Sequence, residues 1–458
     1  MEAFSLTGVR SLMTAGSHLS WLSHRREMAS YWVFAGYGIA MVLLARGQDA
    51  IWAAWAVPAY AAAAIMLPRS RTWGVAMLTA AFAVAVPLLV MLAQGELAAG
   101  MAVIERSGAL ILRHGTPYLP SWQLSSWLAY NPYLPAMALF GLPSAVGLQG
   151  APGDPRVWLV LVTVAALGAA FCTVVPHSAL RCETCRRDVL RYTAFAAACP
   201  VMALNLAVTT TDPPVIALML LSLGLAARPD RTIASAAALG VACAMKPTAW
   251  LEIPVVAIML RTRDGMRAAV QFVGTSVGIL VVATVPAMLA SPSATIQNTV
   301  LFPLGLTRHL TPAQSLTPGD LLARSGLVGH TVAVALLLAA GLVIAISLVV
   351  RPPRNLRAAT WRLALGLALM FALGPAERFG YFIYPLGLIG WLALTRHAAP
   401  GEAPAETADH PEERLPLILP RYAPRAAAQP RNYEAGDSTS ATPKPYRRPD
   451  VEGQSSSL

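Results

Sequence analysis

Long apolar runs recur along the chain, and they constrain its fold more than any other feature of the sequence. The runs are about 17–23 residues long, which is the length an α-helix needs to cross a bilayer. The composition agrees, because 56% of the 458 residues are hydrophobic and only 12% are charged, whereas soluble domains carry about 25% charged residues. The sequence therefore predicts an all-α polytopic membrane protein with about 12 transmembrane helices.

The apolar runs divide the chain into three parts. Residues 1–29 precede the first span, residues 30–396 form the transmembrane domain, and residues 397–458 form a polar tail. The first run, which begins near Tyr31, is expected to be retained as a span rather than cleaved. The tail is rich in Pro, Ala, Glu, Arg and Ser, which predicts a disordered segment. The predicted spans are 30–46, 50–67, 73–94, 157–176, 189–208, 213–227, 232–246, 249–260, 268–290, 328–350, 359–375 and 380–395.

The arginine-rich loops predict the orientation in the membrane. Basic loops favour the cytoplasmic side, so both termini are expected there, and the net charge of +11 indicates topology and lipid contacts rather than nucleic-acid binding. The apolar stretch 132–149 is an exception, because counting it as a span would move Arg181 and Arg191 outside. It also contains Pro132, Pro135 and Pro143, and we predict that it lies as a helix at the outer surface.

Two long loops, at about 95–156 and 291–327, are predicted on the extracytoplasmic side. In the first loop, carboxylates can act as general bases, arginines can bind phosphate, and aromatic rings can stack on sugars. The same aromatic residues are also typical of the interfacial belts of inert membrane proteins. The candidate residues of this loop are Glu96, Glu105, Arg106, His114, Tyr118, Tyr130 and Tyr133.

The shorter outer turns add further polar candidates. Asp212 precedes two prolines, Lys246 ends an apolar run, and Arg378 and Tyr381 join the last two predicted spans. Ionisable groups at membrane depth are costly and tend to be functional. Mutual pairing that stabilises the bundle, for example of Lys246 with Glu252, is the competing interpretation.

A cysteine pair lies on a predicted cytoplasmic loop. Cys182 and Cys185 form a C-x-x-C motif, and His177 could supply a third metal ligand, but no second pair follows. We therefore predict free thiols rather than a zinc site.

Several segments, in order along residues 95–395, resemble glycosyltransferase family 87, whose members include actinobacterial mannosyltransferases. The resemblance implies a GT-C fold and an inverting transfer from polyprenyl-phosphate mannose on the extracytoplasmic face of the cell membrane. The family usually has an acidic residue about six positions before Arg106, where this chain has Gly100 or Met101. The segments are HGTPYL (114–119), YNPYLPAMALFGLP (130–143), TTTDPPVIALMLL (209–221), AMKPTAWLEIP (244–254), FPLGLTRHLTPAQSLTPGDLLA (302–323) and GPAERFGYFIYPLGL (374–388).

On this resemblance, Glu96 or Glu105 is the expected general base for an acceptor hydroxyl of a glycan or glycolipid. Lys246, Arg378 and Arg106 are expected to stabilise the departing lipid phosphate. Asp212 is expected to position the acceptor or a metal ion, although no metal or other cofactor is predicted. Two other readings stay open: a secondary transporter or lipid flippase, which would place polar groups near the bilayer midplane, and a non-catalytic scaffold. Mannose and arabinose are not distinguished.

Overall fold

The computed structural model describes residues 6–69, 72–95, 97–175, 181–208, 210–309, 315–375 and 378–395, with side chains from residue 24 onward. Within these ranges the chain is helical and contains no β-strand, which confirms the all-α fold class. The predicted disordered tail lies outside the described residues.

The longer helices account for most of the described chain. The segments between them carry short helical elements, of which Pro135–Gly141 and Pro247–Leu251 are 3-10 helices and Gln297–Leu301 is a π-helix. The longer helices are α1 (Leu6–Leu44), α2 (Gln48–Met66), α3 (Thr72–Gln94), α4 (Ala99–His114), α5 (Pro155–Thr173), α6 (Glu183–Ala198), α7 (Pro200–Ala207), α8 (Asp212–Ala226), α9 (Thr232–Met245), α10 (Glu252–Asp264), α11 (Met266–Ala290), α12 (Leu327–Val350), α13 (Leu356–Leu373) and α14 (Ile383–Thr395).

Seven helices of the described residues are long and apolar enough to cross a membrane, or eight if α6 and α7 form one bent span. The seven are α1 from His24 onward, α2, α3, α5, α11, α12 and α13. They confirm a multi-pass membrane protein, but the predicted count of about 12 is not confirmed. The predicted spans at 213–227, 232–246 and 249–260 correspond to α8, α9 and α10, which have 15, 14 and 13 residues. A straight membrane-spanning helix needs about 20 residues.

Helix α8 forms part of the interior of the bundle. Most of its residues are buried, among them Val215, Leu220 and Leu223. This burial explains why its sequence is apolar on every face rather than along one stripe. The helix packs against α5, α9 and α14, so both of its ends lie at the ends of the bundle, where polar side chains can gather.

The predicted span 189–208 is broken. Helices α6 and α7 meet at Cys199 and Pro200 with a bend of 73°. Proline has no backbone N–H and disfavours the helical conformation of the residue before it, and Cys199 is extended here with ψ of 129°, which accounts for the break.

The arginine-bearing loops meet at one end of the bundle, which we call the basic end. Arg191 forms an ion pair with Glu27 of α1. The Arg228 guanidinium donates to carbonyl oxygens at the end of α5, and Arg263 Nη2 donates to the Ala226 carbonyl oxygen at 2.7 Å. These contacts join loops that are distant in sequence and that the charge pattern had assigned to one side.

The stretch 132–149 is not a continuous helix. It forms the 3-10 helix Pro135–Gly141 and the single α-turn Leu142–Ala145, which together are too short to cross a bilayer. This result agrees with leaving the stretch out of the spans. The predicted helix is present but short, Pro135–Ala145, and it changes from 3-10 to α geometry along its length, while its position at the membrane surface stays a prediction. The 3-10 helix packs against α4, where a Cβ atom on Gly108 would lie 2.3 Å from the carbonyl carbon of Gly141.

Candidate functional site

A buried ion pair lies at the end of the bundle opposite the basic end. Asp212 is the first residue of α8, where Pro213 and Pro214 occupy the first helical turn. Lys246 directly follows α9, and its Nζ lies 2.5 Å from Asp212 Oδ1. Tyr384 of α14 donates its hydroxyl to the same carboxylate oxygen at 2.8 Å. The Asp212 carboxylate is therefore held by two donors from two different helices.

Two aromatic rings flank the Lys246 ammonium group. Its Nζ is 4.9 Å from the ring centroid of Tyr381 and 5.9 Å from that of Tyr133, both within the range of cation–π attraction. The backbone fixes this arrangement, because the Leu134 N–H donates to the Met245 carbonyl oxygen at 3.1 Å. We call Tyr133, Asp212, Lys246, Tyr381 and Tyr384 the lysine cluster.

The alternative interpretation predicts that Lys246 pairs with Glu252. This prediction is wrong, because the partner of Lys246 is Asp212. A 3-10 turn at Pro247–Leu251 separates Lys246 from α10 and directs Glu252 into the interior. Glu252 is fully buried and close to Ser222 of α8. Within the described residues, neither of its carboxylate oxygens meets hydrogen-bond geometry with a partner, and the Ser222 hydroxyl contacts the Ser235 hydroxyl at 3.3 Å.

Glu105 lies in a cavity of about 520 Å³, a volume typical of small-molecule sites. The Ser144 hydroxyl donates to Glu105 Oε1 at 2.8 Å. The cavity lining also includes Arg156, whose Nε and Nη2 donate to the Asp154 carboxylate at 2.8–3.1 Å. Asp154 also caps α5 by accepting the backbone N–H of Arg156 at 2.8 Å. Asp154 and Arg156 therefore both lie at the start of helix α5 and form part of the cavity wall.

The position of Glu105 follows from the packing of α4. Gly108 and Gly141 have no side chains, which lets the backbones of α4 and the 3-10 helix pack in direct contact.

Arg106 anchors a neighbouring segment. Its Nη2 donates to the carbonyl oxygens of Leu128 at 3.1 Å and Ala129 at 3.0 Å. Burial lowers the pKa of Arg106. Arg106 therefore holds the first outer segment in place, and its predicted contact with a phosphate stays a prediction.

The two long segments that the charge pattern predicts on the outer side contact each other directly. The Asn131 backbone N–H donates to Asn298 Oδ1 at 2.7 Å, and the rings of Tyr130 and Phe302 stack with centroids 4.4 Å apart. The Tyr118 hydroxyl donates to the Tyr133 carbonyl oxygen at 3.0 Å, and burial raises the pKa of Tyr118. Tyr118 and Tyr130 thus pack within the protein and support the site.

The remaining predicted residues are His114, Arg378 and Glu96. His114 is exposed at the end of α4, and Arg378 is exposed beside the lysine cluster, close enough to Tyr381 to interact electrostatically. Glu96 lies outside the described residues, although its neighbours Gly95 and Leu97 both line the Glu105 cavity. Among the described residues, no three His, Cys, Asp or Glu side chains are grouped so that they could hold a metal ion.

Sequence reasoning missed three residues that build the site. Tyr384 was hidden within an apolar run, one helical turn after Tyr381, and that spacing could have indicated a shared face. Asn298 and Arg156 were not singled out, although an Asp-Pro-Arg sequence at a helix start is a typical capping signal.

Comparisons with known proteins give no further assignment. No protein-family model matches the chain, and neither a curated protein nor a solved structure matches it. The functional argument therefore depends on the geometry of the site and on the sequence motifs.

Proposed function

We propose that the protein is a membrane hexosyltransferase that moves a sugar, with mannose as the first candidate, from a polyprenyl-phosphate donor to a glycan or glycolipid acceptor on the extracytoplasmic face. One observation carries the proposal. Tyr133, Asp212, Lys246 and Tyr381 come from four separate motif segments of the family resemblance, and they meet in the lysine cluster. Residues that are more than 240 positions apart along the sequence thus converge at one end of the bundle.

Lys246 is the proposed ligand of the donor phosphate. A compact ammonium group is a common phosphate ligand, and the ring centroids of Tyr133 and Tyr381 lie 5.9 Å and 4.9 Å from its Nζ. Asp212 positions Lys246 and is a poor candidate for the general base, because Lys246 and Tyr384 both already donate to it. Arg378, which is exposed beside the cluster, supplies a second positive charge.

Glu105 is the proposed general base within the described residues. Its carboxylate lines a cavity of suitable size and accepts one hydrogen bond, from Ser144. The segment 131–141 contacts α4 near Glu105 on the one hand and the end of α9 next to Lys246 on the other. The two groups therefore belong to one continuous packing unit.

The proposed reaction is a single displacement. Glu105 takes the proton of an acceptor hydroxyl, and the oxygen attacks the anomeric carbon of the donor sugar. The bond between that carbon and the phosphate oxygen breaks, and the lipid phosphate leaves with the electron pair. Lys246 and Arg378 stabilise the charge that develops on the phosphate.

The test is the transfer of labelled mannose from polyprenyl-phosphate mannose in membranes that contain the protein. Glu105→Gln should lower the rate by about 10²–10⁴, which is the typical contribution of a general base. Glu183→Gln is the matched control, because Glu183 is a largely exposed carboxylate near the basic end, paired with Arg187. Full activity in both Glu96→Gln and Glu105→Gln would refute the assignment of the base.

A secondary transporter is the second candidate, and Glu252 favours it. A fully buried carboxylate within a helical bundle is a typical carrier of protons or cations through a membrane protein. Glu252→Gln separates the two functions, because a transporter should lose uptake in reconstituted liposomes. A transferase should keep its transfer rate, since Glu252 is buried, forms no hydrogen bond with the lysine cluster among the described residues and does not line the Glu105 cavity.

A further inference from the structure

A second cavity, of about 590 Å³, opens among α1, α5, α6, α8 and α14 near the basic end. It has a polar mouth and an apolar interior. The mouth carries Arg26, Glu27 and Arg191, and the interior is formed by residues such as Phe34, Phe195, Leu220, Ile383, Gly390 and Trp391.

The mouth has a net charge of +1. Glu27 pairs with Arg191, which leaves the positive charge of Arg26 in excess. Arg26 is exposed, so an anionic group can approach it from outside. Basic pockets between membrane helices on the cytoplasmic side are suited to anionic lipid headgroups.

Two buried donors in the wall lack partners. Within the described residues, Arg191 Nε and Trp391 Nε1 are buried and have no hydrogen-bond partner, and Trp391 is only 2% exposed. An unsatisfied buried donor is destabilising. Both side chains line the cavity, so a small rotation of each would bring its donor to the acceptor oxygens of a bound ligand and relieve that penalty.

The apolar part of the cavity has the depth of an acyl chain segment. Eight residues separate Arg26 from Phe34 in α1, and eight separate Arg191 from Cys199 at the end of α6. At a rise of 1.5 Å per residue, each distance is about 12 Å.

We propose that this cavity binds an anionic phospholipid of the membrane. Arg26 and Arg191 hold its phosphate, the Trp391 indole donates to a glycerol ester or phosphate oxygen, and an acyl chain lies against Phe34, Phe195 and Gly390. The proposal concerns the basic end and does not depend on the proposed transferase activity.

Gly390 offers a variant that blocks the cavity without disturbing its wall. A Cβ atom built on Gly390 would meet no atom within 4 Å, so Gly390→Leu places its side chain in the open space where the acyl chain is proposed to lie. Gly341→Leu in α12 is the matched control, because Gly341 also has open space around its Cβ position and does not line the cavity.

The experiment uses the delipidated full-length protein in detergent, titrated with phosphatidylglycerol or phosphatidylcholine. Binding is followed by native mass spectrometry, and stability is followed by the unfolding temperature. Phosphatidylglycerol at a hundred times its Kd should raise Tm by about 5 °C. Gly390→Leu should abolish this shift, and Gly341→Leu should keep it.

Charge reversal tests the headgroup. Arg26→Glu should lower the affinity for phosphatidylglycerol at least tenfold, whereas Arg261→Glu, at an exposed arginine outside the cavity, should leave it unchanged. The proposal is overturned if phosphatidylcholine binds equally well, if polyprenyl phosphate binds in preference to phosphatidylglycerol, or if Gly390→Leu retains the full Tm shift.

Discussion

Replacing Asp212 with asparagine removes the charge that neutralises Lys246 and keeps an acceptor for the Tyr384 hydroxyl. At the observed separation of 2.5 Å between Lys246 Nζ and Asp212 Oδ1, and with an effective dielectric constant of about 20, the attraction is about 6–7 kcal/mol. Desolvation of two charges costs several kcal/mol for each ion. The intact pair therefore contributes little net stability, whereas a variant that keeps only one of the charges loses about 3–5 kcal/mol.

The unfolding temperature of the purified protein in detergent measures this loss. At roughly 2 °C per kcal/mol, Asp212→Asn and Lys246→Met should each lower Tm by about 6–10 °C. The double variant should recover most of the loss, because neither charge is left alone in the interior. Asp264→Asn is the control, since Asp264 pairs with Arg263 in a partly exposed position where ion pairs contribute about 0–1 kcal/mol.

Two results would refute this reasoning. A change below about 2 °C in either single variant would mean that the remaining charge is solvated and the pair is not buried. A double variant whose Tm falls by the sum of the two single losses would mean that the two side chains act independently.

Three further predictions follow from the packing and from the exposed thiol. Gly108→Ala should lower stability by about 1–3 kcal/mol in thermal unfolding, because its Cβ would collide with Gly141; Gly74→Ala, with open space around its Cβ, should not. Asn298→Ala should lower stability by about 2–3 kcal/mol, because it leaves a buried backbone N–H unpaired. Hydrogen bonds from the backbone of Cys185 lower the pKa of Cys182, so iodoacetamide should label Cys182 before any buried cysteine. If the orientation is as the charge pattern predicts, an impermeant maleimide should reach Cys182 only in inverted vesicles.

Most of the long helices could be predicted from the lengths of the apolar runs alone. Seven of the twelve predicted spans correspond to helices that are long enough to cross a bilayer. A segment that crosses a bilayer needs apolar side chains and a backbone whose N–H and C=O groups are all hydrogen-bonded within the protein, and a long apolar helix meets both needs. The predictions at 213–227, 232–246 and 249–260 had the right helices at nearly the right lengths, but these helices are shorter than the roughly 20 residues that a straight span needs. Hydropathy cannot distinguish a short helix buried by protein from a helix that faces lipid, since both are apolar on all sides.

Four of the five members of the lysine cluster were predictable from the sequence, but Tyr384 and the pairing of Lys246 were not. Tyr133, Asp212, Lys246 and Tyr381 could be named from chemistry and position, and the structure groups them. The partner of Lys246 could not, because Glu252 is six residues away in sequence and Asp212 is 34 residues away. The 3-10 turn between Lys246 and α10 rotates Glu252 away, and that rotation depends on tertiary packing rather than on local sequence.

Among the described residues of the proposed donor site, the charges are balanced only when the donor is bound. Lys246 and Asp212 cancel each other, so the pair can stay buried without an anion, and Arg378 is exposed to solvent. A sugar phosphodiester carries one negative charge and would neutralise Arg378. After transfer the lipid phosphate is a monoester with a charge between −1 and −2 near neutral pH, as for a phosphorylated side chain. On the proposed function, the extra negative charge then faces Asp212 across Lys246, which weakens product binding relative to the donor and favours its release into the membrane.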